Sequence, residues 1–163
     1  MDWFLVRPIV ARDKEAWLRL WAGYCDFYET KIEASTTRKT WERLLKRTSG
    51  MRGFVACKQR PHGFVNLVLH ENTWSTKPVA YLEDLYVSPR WRGRSIGRAL
   101  MSHAIEYAEK SGCDSIYWVT AQNNRTARRL YDMFTPADDV VRYKMRLAAV
   151  TAHDQVPKTI DCR

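Results

Sequence analysis

Hydrophobic residues recur along this chain with two periods, and the switches between them mark out its elements. Trp17, Leu20, Trp21, Tyr24 and Phe27 fall three and four apart, one face of an amphipathic helix that Asp13 opens as N-cap and that runs to about residue 29. A short strand is predicted ahead of it over 3–8, and a second short helix after it over 37–47. Strand-like runs follow at 53–58 and 64–70, joined by a Pro61-His62-Gly63 turn, and then at 79–87 beyond the loop ENTWSTKP. The helical period returns at 97–110, where Ile96, Leu100, Ala104 and Ala108 form one stripe. SIYWVTA, 115–121, reads as a strand, and 124–134 as a helix with Ala127, Leu130, Tyr131 and Phe134 on one face. In VVRYKMRL, 140–147, Val141, Tyr143, Met145 and Leu147 alternate with Arg142, Lys144 and Arg146, the pattern of a half-buried strand. This order predicts an α/β fold, a mixed sheet covered by helices on both faces. Three strands in succession form a meander, which excludes a Rossmann array.

Composition narrows the picture further. The 163 residues, 45% hydrophobic and 28% charged, fit one domain over 1–147 with a patternless tail over 148–163. No uncharged run approaches the ~18 apolar residues of a membrane span, and Asp2 and Arg7 interrupt any secretory signal. The four cysteines are scattered, without the spacing of a disulfide frame or a zinc site, so a reducing cytoplasm and no metal are expected. Cys113 falls in a turn and is a poor nucleophile, and none of the four histidines sits in a catalytic or metal pattern. The net charge of +9 admits three readings: nucleic-acid phosphates, an anionic small molecule or cofactor, or a solvated basic surface.

The stretch VSPRWRGRSIGRALM bears on the choice. It sets Arg90, Arg92, Arg94 and Arg98 around Gly93 and Gly97 where a strand turns into a helix. Unpaired N–H groups of a first helical turn and the helix dipole favour an anion, glycine allows close approach, and arginine adds charge-assisted bonds. The competing reading is a helix start with a solvated basic face.

R-G-R-S-I-G-R-A-L, Arg92 to Leu100, resembles motif A of the GNAT family of acetyl-CoA-dependent N-acetyltransferases. The preceding L-Y-V, Leu85-Tyr86-Val87, and the downstream N-x-x-A-x-x-L-Y, with Asn124, Ala127, Leu130 and Tyr131, extend the resemblance. It implies a mostly antiparallel mixed sheet. It also implies that the backbone of Arg92, Gly93, Arg94, Ser95, Ile96, Gly97 and Arg98 wraps the pyrophosphate of coenzyme A. The strand end would meet the pantetheine arm, and Asn124 and Ala127 would stand beside the cofactor. Homodimers are common in the family. Two departures stand out. Ser95 occupies the place of a motif glycine, where its Cβ restricts positive φ and crowds the phosphate. Tyr131-Asp132-Met133-Phe134 runs into Thr135-Pro136 and not the usual Gly-Phe.

Acyl transfer from a thioester to an amine needs a proton acceptor, a donor for the oxyanion, and a proton for the departing thiolate. Strict alternation in YLEDLYV puts Tyr81, Glu83, Leu85 and Val87 on one face, so Glu83 is the candidate acceptor unless a bulge shifts the phase. YLED also resembles the spermidine/spermine and thialysine acetyltransferase branch, where this glutamate handles the substrate amine. The competing reading for Glu83 and Asp84 is an exposed strand face or an arginine partner. Tyr131 is the candidate acid by its place in the motif, or else a core tyrosine; Asn124 is also a plain helix N-cap. Asp26, Tyr28, Glu29 and Trp74, acidic residues beside aromatics, are candidates for a cationic acceptor pocket. The resemblance thus implies transfer from acetyl-CoA to a polyamine, a lysine-like amine or another amino acid. A protein or peptide acetyltransferase, a non-catalytic acyl-CoA sensor and a nucleic-acid-binding module are the alternatives.

Overall fold

The computed structural model describes residues 4–145 and 147. Five strands, β1 (Leu5–Pro8), β2 (Met51–Cys57), β3 (Pro61–His70), β4 (Val79–Val87) and β5 (Ser115–Trp118), lie side by side in that order. Pairing is antiparallel from β1 to β4 and parallel between β4 and β5. Helices α1 (Lys14–Phe27) and α2 (Ala34–Leu45) cover one face; α3 (Ile96–Lys110) and the short α4 (Arg125–Tyr131) cover the other. Both sides of the sheet are therefore dry. That is why β2 and β3 read as near-continuous apolar runs: Val55 and Phe64 pack toward α1, while Phe54, Ala56, Val65 and Leu67 pack toward α3. Three of the seven tryptophans meet under α1, where fully buried Trp17 stacks on Trp21 at 5.1 Å and tilts against Trp41 at 5.3 Å.

The fold class matches the expectation, with local corrections. Asp13 stands at the N-cap position of α1, as expected, but its side chain caps no N–H of that helix; its carboxylate takes both guanidinium nitrogens of Arg7 at 2.7 and 2.8 Å and the Val10 N–H at 3.0 Å. A buried acid beside a strand arginine is better satisfied by that fork than by a helix end. The β2–β3 turn is Lys58-Gln59-Arg60, and Pro61 opens β3, a strand position that needs no N–H. The run 140–145 forms no strand: Val141, Tyr143 and Met145 are 74%, 93% and 82% exposed. Its alternation has the right period but meets no described strand to pair with. Arg146 and the tail over 148–163 lie outside the described residues, as does Trp3.

Candidate active site

The centre of the site is an irregularity in β4. Asn66 pairs with Asp84 and Leu67 with Leu82, so Glu83 is an extra residue with no partner on β3. A bulge of this kind reverses the strand's phase. Leu82 packs toward α3, yet Tyr86 packs toward α1, and Leu85 and Val87 pack toward α3. The expected shared face of Glu83, Leu85 and Val87 is thereby corrected. Glu83 and Asp84 instead both open into a cavity on the α1–α2 side.

That cavity, of about 450 Å³, is walled by Trp21, Tyr24, Tyr28 and Ile32, with Glu83 and Asp84 at its floor. Asp84 is buried and accepts the Asn66 amide at 2.9 Å and the Tyr24 hydroxyl. Burial nevertheless holds its pKa above the ordinary carboxylate value, against the lowering effect of those two bonds. Burial also raises Glu83, and the charge of Asp84 raises it further, while Arg142 and Lys144 pull it down. The strand thus presents a carboxylate with an elevated proton affinity, the property of a useful base near neutral pH.

On the other side, β4 and β5 pair only from Val79–Ser115 to Leu82–Trp118. Beyond Leu82 the two strands part, and from Glu83 to Val87 β4 presents an edge that β5 does not cover. Tyr131, the last residue of α4, sits at this opening with its ring 5.5 Å from that of Trp118. Burial, then the neighbouring Tyr28, push the Tyr131 hydroxyl up to about 12, so it carries its proton at neutral pH. Tyr28 also feels the charge of Asp84. It is also one of the residues that wall the acidic cavity. Asn124 caps α4 by accepting the Ala127 N–H at 3.2 Å, which supports its reading as an N-cap.

The arginine-rich junction forms the third wall. Among the described residues no side chain caps α3, an arrangement that leaves its first-turn N–H groups able to meet an anion. Gly93, at φ +74°, has nothing within 4 Å of a hypothetical Cβ, so the space above it is open. Ser95 stands at φ +60°, the left-handed conformation that a motif glycine would take freely. Not every residue here faces the anion. Ile96 buries its side chain and offers only its backbone, and Gly97 lets α3 approach Leu130 of α4. Arg92 turns back, donating to the Val87 carbonyl at 3.0 Å and covering the rings of Phe27 and Tyr86. Arg94 lies over Trp91 at 4.9 Å, and Trp91 stacks on buried His62 at 3.8 Å. Those contacts fix the loop to the sheet; Arg98 remains exposed at the helix start.

Of the four candidate acceptor residues, the structure brings only Tyr28 into the cavity. Asp26, Glu29 and Trp74 are exposed and line neither of the cavities that Glu83 borders. Tyr24, Asn66 and Asp84 were missed. A lone Asn inside the apolar run FVNLVL was a signal for Asn66; the bulge that turns Asp84 inward has none. Among the described residues no group of three His, Cys, Asp or Glu side chains could hold a metal ion, and no helix is long and apolar enough to cross a membrane.

A parted pair of strands, an uncapped helix start behind a glycine loop and a protonated tyrosine at the opening fit a thioester cofactor bearing a diphosphate. These features suit an acyl-CoA-dependent transferase. The comparisons name the family: the chain belongs to the GNAT acetyltransferases, which it matches over residues 15–134, and it is an acetyl-CoA-dependent N-acetyltransferase. It is 32% identical to a D-amino-acid N-acetyltransferase of Saccharomyces cerevisiae, over 88% of this chain and 91% of that protein. A thialysine N-epsilon-acetyltransferase of Mus musculus is 34% identical over 41% of this chain and 39% of its own length. The structure of AAC(6')-Iy with the bisubstrate analog CoA-S-monomethyl-acetylneamine superposes with a TM-score of 0.75. It is 18% identical and covers 90% of this chain and all of that one.

Proposed function

We propose that this enzyme moves the acetyl group of acetyl-CoA directly to a primary amine of a small molecule. The observation that carries this reading is the bulge at Glu83, which turns two carboxylates into an aromatic-walled cavity beside the uncovered edge of β4. Carboxylates next to aromatic faces suit a cationic amine. The relatives named for acetylating D-amino acids and thialysine support a small acceptor.

Acetyl-CoA supplies the acyl group, and its C–S bond breaks as the new N–C bond forms. The uncovered edge of β4 from Glu83 to Val87 holds the acyl arm, and the first-turn N–H groups of α3 hold the diphosphate. Glu83 accepts the proton that the amine gives up, directly or through one water. Tyr131 supplies a proton to the departing sulfur. Asp84, tied to Asn66 and Tyr24, positions the cavity floor and raises the basicity of Glu83. No cysteine takes part.

A homodimer belongs to the same reading. The exposed alternating run over 140–145 and the outer edge of β5 are complementary in kind, and a second copy would bury both. Light scattering after size exclusion checks it, a monomeric mass being the contrary result. The function itself is tested by mass detection of free CoA and acetylated product across polyamines, lysine analogues, amino acids and a basic peptide. Turnover of a small amine is expected. Turnover of the peptide alone would overturn the reading.

A further inference from the structure

A second cavity, of about 580 Å³, adjoins the acidic one, and Met51 and Glu83 line both. Its character is the opposite. Arg43 near the end of α2 and Lys46 just beyond it line it together with Thr48, Ser49 and Gly50, and among its described lining residues Glu83 is the one carboxylate. Neither Arg43 nor Lys46 forms an ion pair among the described residues. The Ser49 hydroxyl oxygen accepts the Met51 N–H at 2.9 Å, which leaves its proton to donate. Arg52 holds this wall in place, donating to the carbonyls of Arg47 at 3.0 Å and Met51 at 2.7 Å and to that of Ser49.

Glu83 thus stands on the divide between an acidic, aromatic lobe and a basic, hydroxyl-bearing lobe. An acceptor with a bare amine, or with several amines, gains nothing from the second lobe and is repelled by it. An acceptor that carries an amine and a carboxylate on one carbon is matched by both.

We infer that the acceptor is an α-amino acid, its amine at Glu83, its carboxylate drawn to Arg43, Lys46 and the Ser49 hydroxyl, and its side chain among Trp21, Tyr24 and Tyr28. This rests on the small-amine acetyltransferase reading above and narrows it. Arg43 and Lys46 line the same cavity as Glu83, and long, flexible stems let their charged ends meet a carboxylate held beside it. Three directed substituents on one carbon also select a hand, because the mirror image sends its side chain into the basic lobe.

The test compares the two enantiomers of phenylalanine with phenethylamine, which has the same skeleton without the carboxylate, and with spermidine. One enantiomer is expected to exceed phenethylamine in kcat/KM by about tenfold or more, the scale of a charge-assisted bond pair. In the Arg43→Ala/Lys46→Ala variant that ratio should collapse toward one, through a raised KM for phenylalanine with kcat little changed. Wild-type enzyme that uses phenethylamine or spermidine as well as either enantiomer overturns the inference and leaves the small-amine reading intact. An unchanged ratio in the double variant removes Arg43 and Lys46 as the carboxylate's partners. No turnover of any of the four, with acetyl-CoA bound, overturns this inference, and the small-amine reading falls with it if the wider panel yields turnover of the peptide alone.

Discussion

The two halves of the proposed site are built in different ways. The cofactor half is a continuous stretch, Leu85 to Arg98, whose working groups are mostly backbone: a strand edge, a glycine turn and an uncapped helix start. The acceptor half is assembled from side chains on α1, α2, β3 and β4, and depends on one unpaired residue, Glu83, to set their direction. A backbone site tolerates changes of side chain as long as the φ angles survive. A side-chain site has no such tolerance, so substitutions should separate the two halves by both size and kind of effect.

The largest effects fall where the halves meet. Glu83→Gln should lower kcat/KM by about a hundredfold near neutral pH and leave acetyl-CoA affinity unchanged, as loss of a general base does. Tyr131→Phe should lower kcat by a similar factor with unaltered CoA binding by calorimetry; an equal loss of binding would make the tyrosine structural. Asp84→Asn acts on stability. Asp84 is raised in the folded state, so its contribution is fully present below the ordinary aspartate pKa and is lost as pH rises through the folded value. At neutral pH the buried charge is a cost, and the amide should raise stability there by about 1 kcal/mol, a gain that fades under acid. Thermal melts at several pH values check the sign.

Smaller effects probe the backbone half. Ser95→Gly removes a left-handed non-glycine residue and should add about 1 kcal/mol, or ~2–4 °C in Tm, with a few-fold tighter CoA. The two long helices offer a control. Both α1 and α3 close with the same pair of backbone bonds, Thr30 N–H to Cys25 and Glu29 N–H to Asp26 in one, Cys113 N–H to Ala108 and Gly112 N–H to Glu109 in the other. The left-handed residue is Gly112 in α3 but Glu29, at φ +49°, in α1. Glu29→Gly should therefore stabilise by about 0.5–1 kcal/mol without changing turnover, measured by melts and steady-state rates.

The same division explains what could be read from the sequence. Period and punctuation located α1, α3 and β4, and the stripe Ile96, Leu100, Ala104, Ala108 is buried as its spacing predicts. The glycine turn ahead of α3 is local and was equally legible, down to the positive φ that Ser95 must adopt. The side chain of Arg92 was not: its charge pointed to an anion, but the Val87 carbonyl five residues back and two aromatic rings hold it. The direction of Asp84 was hidden because a bulge arises from pairing with β3, which strand periodicity does not record. Trp74 and Glu29 carried the right chemistry for an amine, yet proximity in sequence to an aromatic says nothing of proximity to the cavity. The run over 140–147 shows the limit from the other side, since period two signals a strand only where a partner is within reach.

The most direct test is the pH dependence of kcat/KM in the wild type, Glu83→Gln and Asp84→Asn. The wild type should show an acid limb above the ordinary glutamate range, because burial and the charge of Asp84 both raise Glu83. That limb should disappear in Glu83→Gln and move to lower pH in Asp84→Asn, where the like charge is gone. A limb unchanged in Glu83→Gln would contradict the account, assigning the proton transfer to some other group and leaving the bulge without its catalytic role.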